Sequence, residues 1–173
     1  VTVTLRCEGC GWTPPTLRER PFAFRCAHQG GDEADHVLAP VLGGDVRWSP
    51  SPDAHPFVRY RSLLHAHSAA LASGLSDDDY VALVRRLDAK VAAVDGHGMR
   101  VTPFVRGPAL PECDAPWVKD ESVNVSGSHK ARHLFGVLLH LEIARAAGFD
   151  PSPAPLAIAS CGNAALAAAV LAR

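Results

Sequence analysis

The segment that constrains this chain most is VSGSHKARH, residues 125–133, a glycine-containing turn that leads into a long stretch with apolar residues at helical spacing. The turn places Lys130 at the start of the predicted helix. Lysine forms Schiff bases with carbonyl compounds, and a helix start offers backbone N–H groups and a positive dipole end to an anion. A lysine in this position is ordinarily only solvated, although the dipole disfavours a cation there. The pattern therefore leaves a solvated and a Schiff-base lysine as the two interpretations.

A second polar turn follows about thirty residues later. Residues 155–159, PLAIA, predict a buried strand, residues 160–163, SCGN, a tight turn, and residues 164–171, AALAAAVL, a closely packed helix. The turn offers backbone N–H groups, a hydroxyl and an amide, which suit a carboxylate or a phosphate. Because one helix and one strand separate the two turns, we expect both at the same edge of an α/β layer.

The pair of segments, GSHKARH at 127–133 and SCGNAALAAA at 160–169, resembles the fold-type II pyridoxal-phosphate enzymes of the tryptophan synthase β-like superfamily. This family includes threonine synthase, cysteine synthase and the serine/threonine dehydratases. The resemblance covers roughly residues 100–173, and the layout of the chain is most similar to threonine synthase. It implies an α/β fold with a parallel sheet and flanking helices, preceded by a small zinc-ribbon-like head and a helical segment.

The resemblance also implies site residues. Lys130 would hold pyridoxal 5'-phosphate as a Schiff base and, once freed, would remove the Cα proton of an amino-acid substrate as general base. His129 would contact the cofactor from the same turn, and Asn163 would reach its phenolic oxygen. The residues that would receive the substrate carboxylate are Ser160, Cys161, Gly162 and Asn163. Cys161 stands where many relatives carry a hydroxyl residue.

The reaction implied is β- or γ-elimination or replacement, as in a threonine synthase-like lyase or synthase. One alternative is an amino-acid ammonia-lyase of the serine/threonine dehydratase type, or a replacement of the cysteine synthase type. The other is a zinc-binding interaction module with no catalytic role. The last predicted helix runs to Arg173 without a cap or a glycine stop, so we expect a longer protein and an inactive fragment. The glycine-rich loop that binds the cofactor phosphate in the family is absent from these residues.

The N-terminal region carries a candidate metal site. Cys7 and Cys10 form a C-x-x-C-G segment whose spacing lets two thiolates bind one tetrahedral Zn²⁺. Cys26 would be the third ligand, and either His28 or His36 the fourth. The competing interpretation is a pair of reduced surface thiols left over from a degenerated ribbon.

Turn signals and helical spacing divide the chain into three predicted parts: a head and arm at 1–45, a helical segment at 46–101, and the start of the α/β domain at 102–173. The arm has at most one strand, at 35–42. In the middle part Ser76 predicts an N-cap with acidic residues after it. Apolar residues then follow at helical spacing: Tyr80, Leu83, Val84, Leu87, Val91 and Val94. We expect this part to provide packing or oligomer surface, and the protein to form a homodimer.

The charge and composition of the chain limit the classes of partner that it is expected to bind. Lys and Arg number 17 against 18 Asp and Glu, so the formal net charge of -1 argues against nucleic acids and anionic membranes as partners. No apolar run approaches the ~20 residues of a membrane-spanning helix. The N-terminus lacks a signal-peptide pattern, and five cysteines without framework spacing favour a reducing compartment. The expected location is the cytoplasm, and the expected partner a small-molecule amino acid.

Overall fold

The computed structural model describes residues 2–20, 23–31, 34–44, 51–112, 114–149 and 156–172. It is an α/β structure with two small antiparallel sheets. The strands are β1 Thr2–Cys7, β2 Leu38–Gly43, β3 Phe104–Arg106 and β4 Trp117–Lys119, and the helices are α1 Pro56–Arg59, α2 His65–Ala72, α3 Asp77–Asp95, α4 Lys130–Ala146 and α5 Asn163–Leu171. Short 3₁₀ turns lie at Arg61–Leu63 and Val125–Gly127.

The predicted α/β class is confirmed, but the described residues contain no parallel strand pair. Strand β1 pairs with β2, and β3 pairs with β4, in both cases antiparallel. The strand predicted at 155–159 is not seen either: Pro155 lies outside the described residues, and 156–160 has no regular structure and is exposed. An isolated apolar strand has no partner for its backbone N–H and C=O groups, so pairing has to come from other strands.

The head is organised by the β1–β2 pair, whose register runs from Thr2 opposite Gly43 to Cys7 opposite Leu38. Along β1 the side chains alternate, with Val3 and Cys7 buried, as the two-residue period of a strand requires. The strand predicted at 35–42 therefore exists, displaced to Leu38–Gly43. The predicted boundary between residues 45 and 46 lies outside the described residues.

Helix α3 follows its sequence pattern closely. Ser76 and Asp79 form a capping box, in which the Ser76 side chain accepts the Asp79 N–H and the Asp79 side chain accepts the Ser76 N–H. Gly96 ends the helix in the left-handed conformation at φ 87°. Five of the six predicted core residues are buried: Tyr80, Leu83, Val84, Leu87 and Val91. Val94, in the last turn, is exposed.

Helix α4 is the centre of the core. Its fully buried residues are Ala131, Phe135, Leu139, Ile143 and Ala144. Helical spacing in the sequence predicts a different stripe: Leu134, Val137, Leu138, Leu141, Ala144 and Arg145. Of these, Ala144 is buried, Arg145 is exposed and the other four are half-buried. The helix contacts α2, α3 and α5. Since it is apolar round most of its circumference, periodicity cannot select the face that packs most deeply.

Helix α5 runs in the same direction as α4. It contacts the 3₁₀ turn Val125–Gly127 that precedes α4. Val170 and Leu171 at its end line a groove together with Leu138 and Leu141 from the second half of α4. The starts of the two helices therefore lie at the same end of the pair.

The β3–β4 hairpin projects from this body. All six of its strand residues are exposed, and Phe104 stacks on Trp117 with ring centroids 5.0 Å apart. Among the described residues, no helix has both the length and the apolar character needed to cross a membrane.

Candidate metal centre

Three cysteines and one histidine converge in the head. One ligand atom from each of Cys7, Cys10, Cys26 and His36 lies within 4.8 Å of the others. The Cys10 and Cys26 sulfurs are 3.5 Å apart, and His36 Nδ1 lies 3.5 Å from Cys7 Sγ and 3.4 Å from Cys26 Sγ. Ligands of a tetrahedral Zn²⁺ are separated by about 3.6 to 3.8 Å, from bond lengths of ~2.3 Å to sulfur and ~2.05 Å to nitrogen. The cluster therefore has the donor set and the spacing to hold a metal ion.

The turn after β1 presents the first two thiols. Cys7 ends the strand, its N–H donates to Trp12 O at 2.7 Å, and Gly11 N–H donates to Cys7 O at 2.9 Å. Gly11 has φ 74°, a conformation that side chains disfavour. Gly9 serves a different purpose, because a Cβ there would lie 2.6 Å from Asp35 O. The missing side chain lets the segment before β2 approach the turn.

The other two donors come from separate loops. Cys26 is buried, and its sulfur accepts the His28 N–H at 3.4 Å. His36 lies two residues before β2, and Glu8 N–H donates to Val37 O at 2.9 Å. The β1–β2 register thus carries His36 to the Cys7 turn across 29 positions of sequence.

The two buried thiols have opposite pKa shifts. Burial acts to raise the pKa of Cys7, but hydrogen bonds from the Cys10 and Gly9 backbone and from neighbouring thiols outweigh it and lower the pKa to about 7. Burial raises the pKa of Cys26 to about 11, and the adjacent Cys10 and Cys7 side chains add to the rise. Adjacent thiols resist becoming thiolates together, because like charges repel. A bound divalent cation removes that conflict and stabilises all three thiolates.

The head is attached to the helical body beside the cluster. Leu17 is part of the main hydrophobic core. Arg18 Nη2 donates to Ser73 O at 2.7 Å, at the C-terminal end of α2, and Val3 N–H donates to Ser68 Oγ at 2.9 Å. Anything that orders the head therefore also supports its contact with α2.

The structure brings Cys7, Cys10 and Cys26 together, as the spacing predicted, and His36 is the nitrogen donor of the four-residue group. His28, the other sequence candidate, lies beside that group with its Nδ1 3.5 Å from Cys10 Sγ. The C-x-x-C segment marked the turn, but no local pattern could choose between two histidines. The strand pairing makes that choice.

The turn before α4 is held by a polar network centred on Glu121. Its carboxylate accepts from Arg132 Nε at 2.7 Å, from Thr102 Oγ1 at 2.5 Å and from Asn124 Nδ2 at 3.2 Å. The buried Asn124 also donates to Ser128 O at 3.0 Å. Burial acts to raise the pKa of Glu121, but the Arg132 and Thr102 hydrogen bonds outweigh it and lower that pKa. No local sequence pattern marks this network, because Thr102 and Arg132 lie 19 and 11 positions from Glu121.

Lys130 is the first residue of α4, and its side chain is exposed, as is that of His129 before it. Ser128 Oγ accepts the Lys130 N–H at 3.4 Å. Among the described residues the Lys130 ammonium has no hydrogen-bond or ion-pair partner. The amine is therefore available to a ligand.

The turn before α5 is exposed throughout, from Ser160 and Cys161 to Gly162 and Asn163. Its internal hydrogen bond runs from Gly162 N–H to Ser160 Oγ, at 3.3 Å. Asn163 is the first residue of α5. These residues share an end of the α4–α5 pair with Lys130.

In comparisons with known proteins, no protein-family model, no curated protein and no solved structure matches the chain.

Proposed function

We propose that Cys7, Cys10, Cys26 and His36 form a structural zinc site that cross-links the head. The observation that carries this proposal is the approach of four ligand atoms within 4.8 Å. Thiolate and imidazole donors suit Zn²⁺, and four protein ligands fill a tetrahedral shell without leaving an open position for substrate. The centre is therefore structural rather than catalytic.

A zinc cross-link would stabilise the head, which is small. Within the described head, the fully buried side chains are few, chiefly Val3, Cys7 and Cys26, with Leu17 directed into the main core. Units of this size seldom bury enough apolar surface to fold alone, and a metal supplies the missing free energy. Zinc would thereby order the surface that packs against α2.

Metal analysis of protein purified without chelators tests the proposal. About one zinc ion per chain is expected, and chelation should expose the head to protease while the helical body keeps its circular dichroism. Cys161→Ser is the matched control, since Cys161 is exposed and belongs to the other end of the chain. Metal-free protein whose melting curve does not respond to added zinc would refute the proposal.

We further propose that the 102–173 part belongs to a pyridoxal-phosphate enzyme acting on amino acids, a threonine synthase-like lyase or synthase. The motifs GSHKARH and SCGNAALAAA support it, as does the geometry that starts α4 and α5 at one end. The proposal includes a parallel sheet, to which the exposed segment 156–160 would contribute a strand. A cytoplasmic homodimer is part of the same proposal, and a dehydratase or a cysteine synthase-type reaction is the alternative outcome.

The residues present fit such a cofactor. The Lys130 amine, which has no partner in the part of the chain that the structure describes, can bond its aldehyde and later hold the proton taken from the substrate Cα. The N–H groups at the start of α5 and the Asn163 amide can hold a carboxylate, since both donate hydrogen bonds at the positive end of a helix. When bound, the cofactor supplies the electron sink for the carbanion. The Glu121 network holds the turn that carries Lys130.

Borohydride reduction in the presence of pyridoxal phosphate tests this second proposal. The chain has three lysines, Lys90, Lys119 and Lys130. Peptide mapping should recover the label on Lys130. Lys119 is the informative competitor, because its amine already donates to Thr102 O at 2.5 Å. Label spread evenly over the lysines, or no label, would reject the assignment.

A further inference from the structure

The head contains more metal donors than a tetrahedral ion can use. Besides the three cysteines and His36, the imidazole of His28 lies against the same cluster. Resting on the proposed zinc site, we propose that His28 is an alternative nitrogen ligand that takes the position of His36, so that zinc exchanges through the Cys10–His28 side of the centre.

The distances support two interchangeable nitrogens. His28 Nδ1 lies 3.5 Å from Cys10 Sγ, and His36 Nδ1 lies 3.5 Å from Cys7 Sγ. Both values are close to the ~3.6 Å that separates sulfur and nitrogen ligands on one tetrahedral zinc ion. His36 Nδ1 is also 3.4 Å from Cys26 Sγ and belongs to the group within 4.8 Å, whereas His28 Nδ1 is at ligand spacing from Cys10 Sγ and lies beside that group.

His28 is also fixed by its backbone. Its N–H donates to Cys26 Sγ at 3.4 Å, and Gln29 N–H donates to Cys26 O at 3.2 Å, so the residue follows its cysteine in a tight turn. The ring lies 6.2 Å from the Trp12 ring. Because these hydrogen bonds hold the backbone, we expect the imidazole to reach the centre by rotation of its side chain.

The two histidines differ in exposure, which gives the exchange a direction. Cys7 and Cys26 are buried and His36 is half-buried, whereas Cys10 and His28 are exposed. An incoming nitrogen on the exposed side can bind before the outgoing one leaves, because Zn²⁺ tolerates a transient fifth ligand. Exchange of zinc with an external chelator should therefore be faster with His28 than without it.

X-ray absorption of the zinc-loaded protein tests the ligand assignment, because an imidazole ligand gives a distinctive outer-shell signal. Wild type, His28→Ala and His36→Ala should each show three sulfur ligands and one imidazole ligand. The double variant should show no imidazole ligand. Each single variant should bind zinc within about tenfold of wild type, and the double variant at least a hundredfold more weakly. An oxygen ligand in place of the imidazole in His36→Ala would overturn the proposal.

A kinetic measurement covers the case in which His36→Ala does not fold. Zinc transfer from the wild-type chain to a chromogenic chelator should be several times faster than from His28→Ala, in which the buried side of the centre is intact. His133→Ala, an exposed histidine on α4, should transfer at the wild-type rate. Equal rates for wild type and His28→Ala would also overturn the proposal.

These outcomes are distinct from failure of the zinc site itself. If the wild-type chain takes up no zinc, or binds it without sulfur ligands, the structural site is wrong. If wild type binds zinc through three sulfurs and one imidazole but His28 neither replaces His36 nor speeds transfer, only the exchange proposal is wrong.

Discussion

A metal site in the head and a carboxylate site in the turn before α5 were both predicted from short polar motifs. In the structure the donors of the first converge, whereas the second is an exposed turn. In the head, donors as far apart as Cys7 and His36 approach within ligand distance. At the other end, the 160–163 turn is exposed, and the segment before it shows Leu156 at 73 % exposure and no strand. The metal site is made of side chains, whereas the proposed carboxylate site depends on the backbone of a turn.

The physical reason is where the pairing partners lie. The metal cluster needs one two-stranded sheet, and β2 follows β1 within the head. A carboxylate site at the edge of a parallel sheet needs neighbouring strands and their crossover helices, since strand pairing alone satisfies the backbone N–H and C=O groups of a buried strand. In the described residues, segment 156–160 has no such neighbour.

The largest effect expected from one substitution is in the head. Cys7→Ser removes one of four zinc ligands, a buried thiolate. Structural zinc sites supply ~10–16 kcal/mol of binding free energy, so the loss of one ligand should cost roughly a quarter of it, about 2.5–4 kcal/mol. We expect zinc to be lost and the head to unfold, while α3 and α4 keep their helical signal. Metal content and limited proteolysis measure both effects. A Cys7→Ser protein that retains zinc and protease resistance would remove the contrast between the two regions.

The approach of His36 can be broken without touching a donor. Gly9→Ala places a Cβ 2.6 Å from Asp35 O, and such overpacking costs about 1–3 kcal/mol. We expect weaker zinc binding because the segment carrying His36 is displaced. The zinc affinity of Gly9→Ala should be compared with that of Gly11→Ala. A Cβ at Gly11 meets no atom within 4 Å, but the residue has φ 74°. Backbone strain should therefore lower the stability of Gly11→Ala by about 1 kcal/mol. Equal zinc affinity in the two variants would argue against close approach as the reason for Gly9.

A third prediction concerns pH and the turn that carries Lys130. The pKa of Glu121 is lowered below its ordinary 4.5 in the folded state, so its contribution to stability is present above pH 4.5 and is lost as the pH falls below it. Glu121→Gln should reduce the free energy of unfolding by about 1–1.5 kcal/mol near neutral pH. Denaturant titrations across this range should show the difference from wild type shrinking in acid. A difference that is constant with pH would mean that the ion pair with Arg132 contributes nothing.

The smallest effects on stability are expected at the exposed turn. Cys161→Ser and Asn163→Ala should each change the free energy of unfolding by less than about 0.5 kcal/mol, as surface substitutions do. If the turn binds substrate in an active enzyme, Asn163→Ala should nevertheless lower kcat/KM about ten- to a hundredfold through the lost hydrogen bond, with Cys161→Ser near wild type. Wild-type kinetics for Asn163→Ala would mean that the turn only begins a helix and does not bind substrate.

Local elements were the most predictable part of the molecule. The Ser76 cap, the buried face of α3 and the start of α4 at Lys130 follow from residue patterns, because hydrogen bonds and side-chain periodicity within one helix determine them. The buried face of α4 was predicted correctly only at Ala144. Its sequence is apolar on several sides, and packing by α2, α3 and α5 selects Phe135, Leu139 and Ile143.

By itself, the sequence determined that Cys7 and Cys10 share a turn, that Lys130 begins a helix, and that another helix follows the polar turn at 160–163. Only the tertiary structure decided that His36 joins the three cysteines and that Glu121 holds the turn before Lys130. The first group depends on contacts between residues a few positions apart, whose geometry the backbone dictates. The second depends on contacts between distant segments, which form only when strand register and helix packing bring them together.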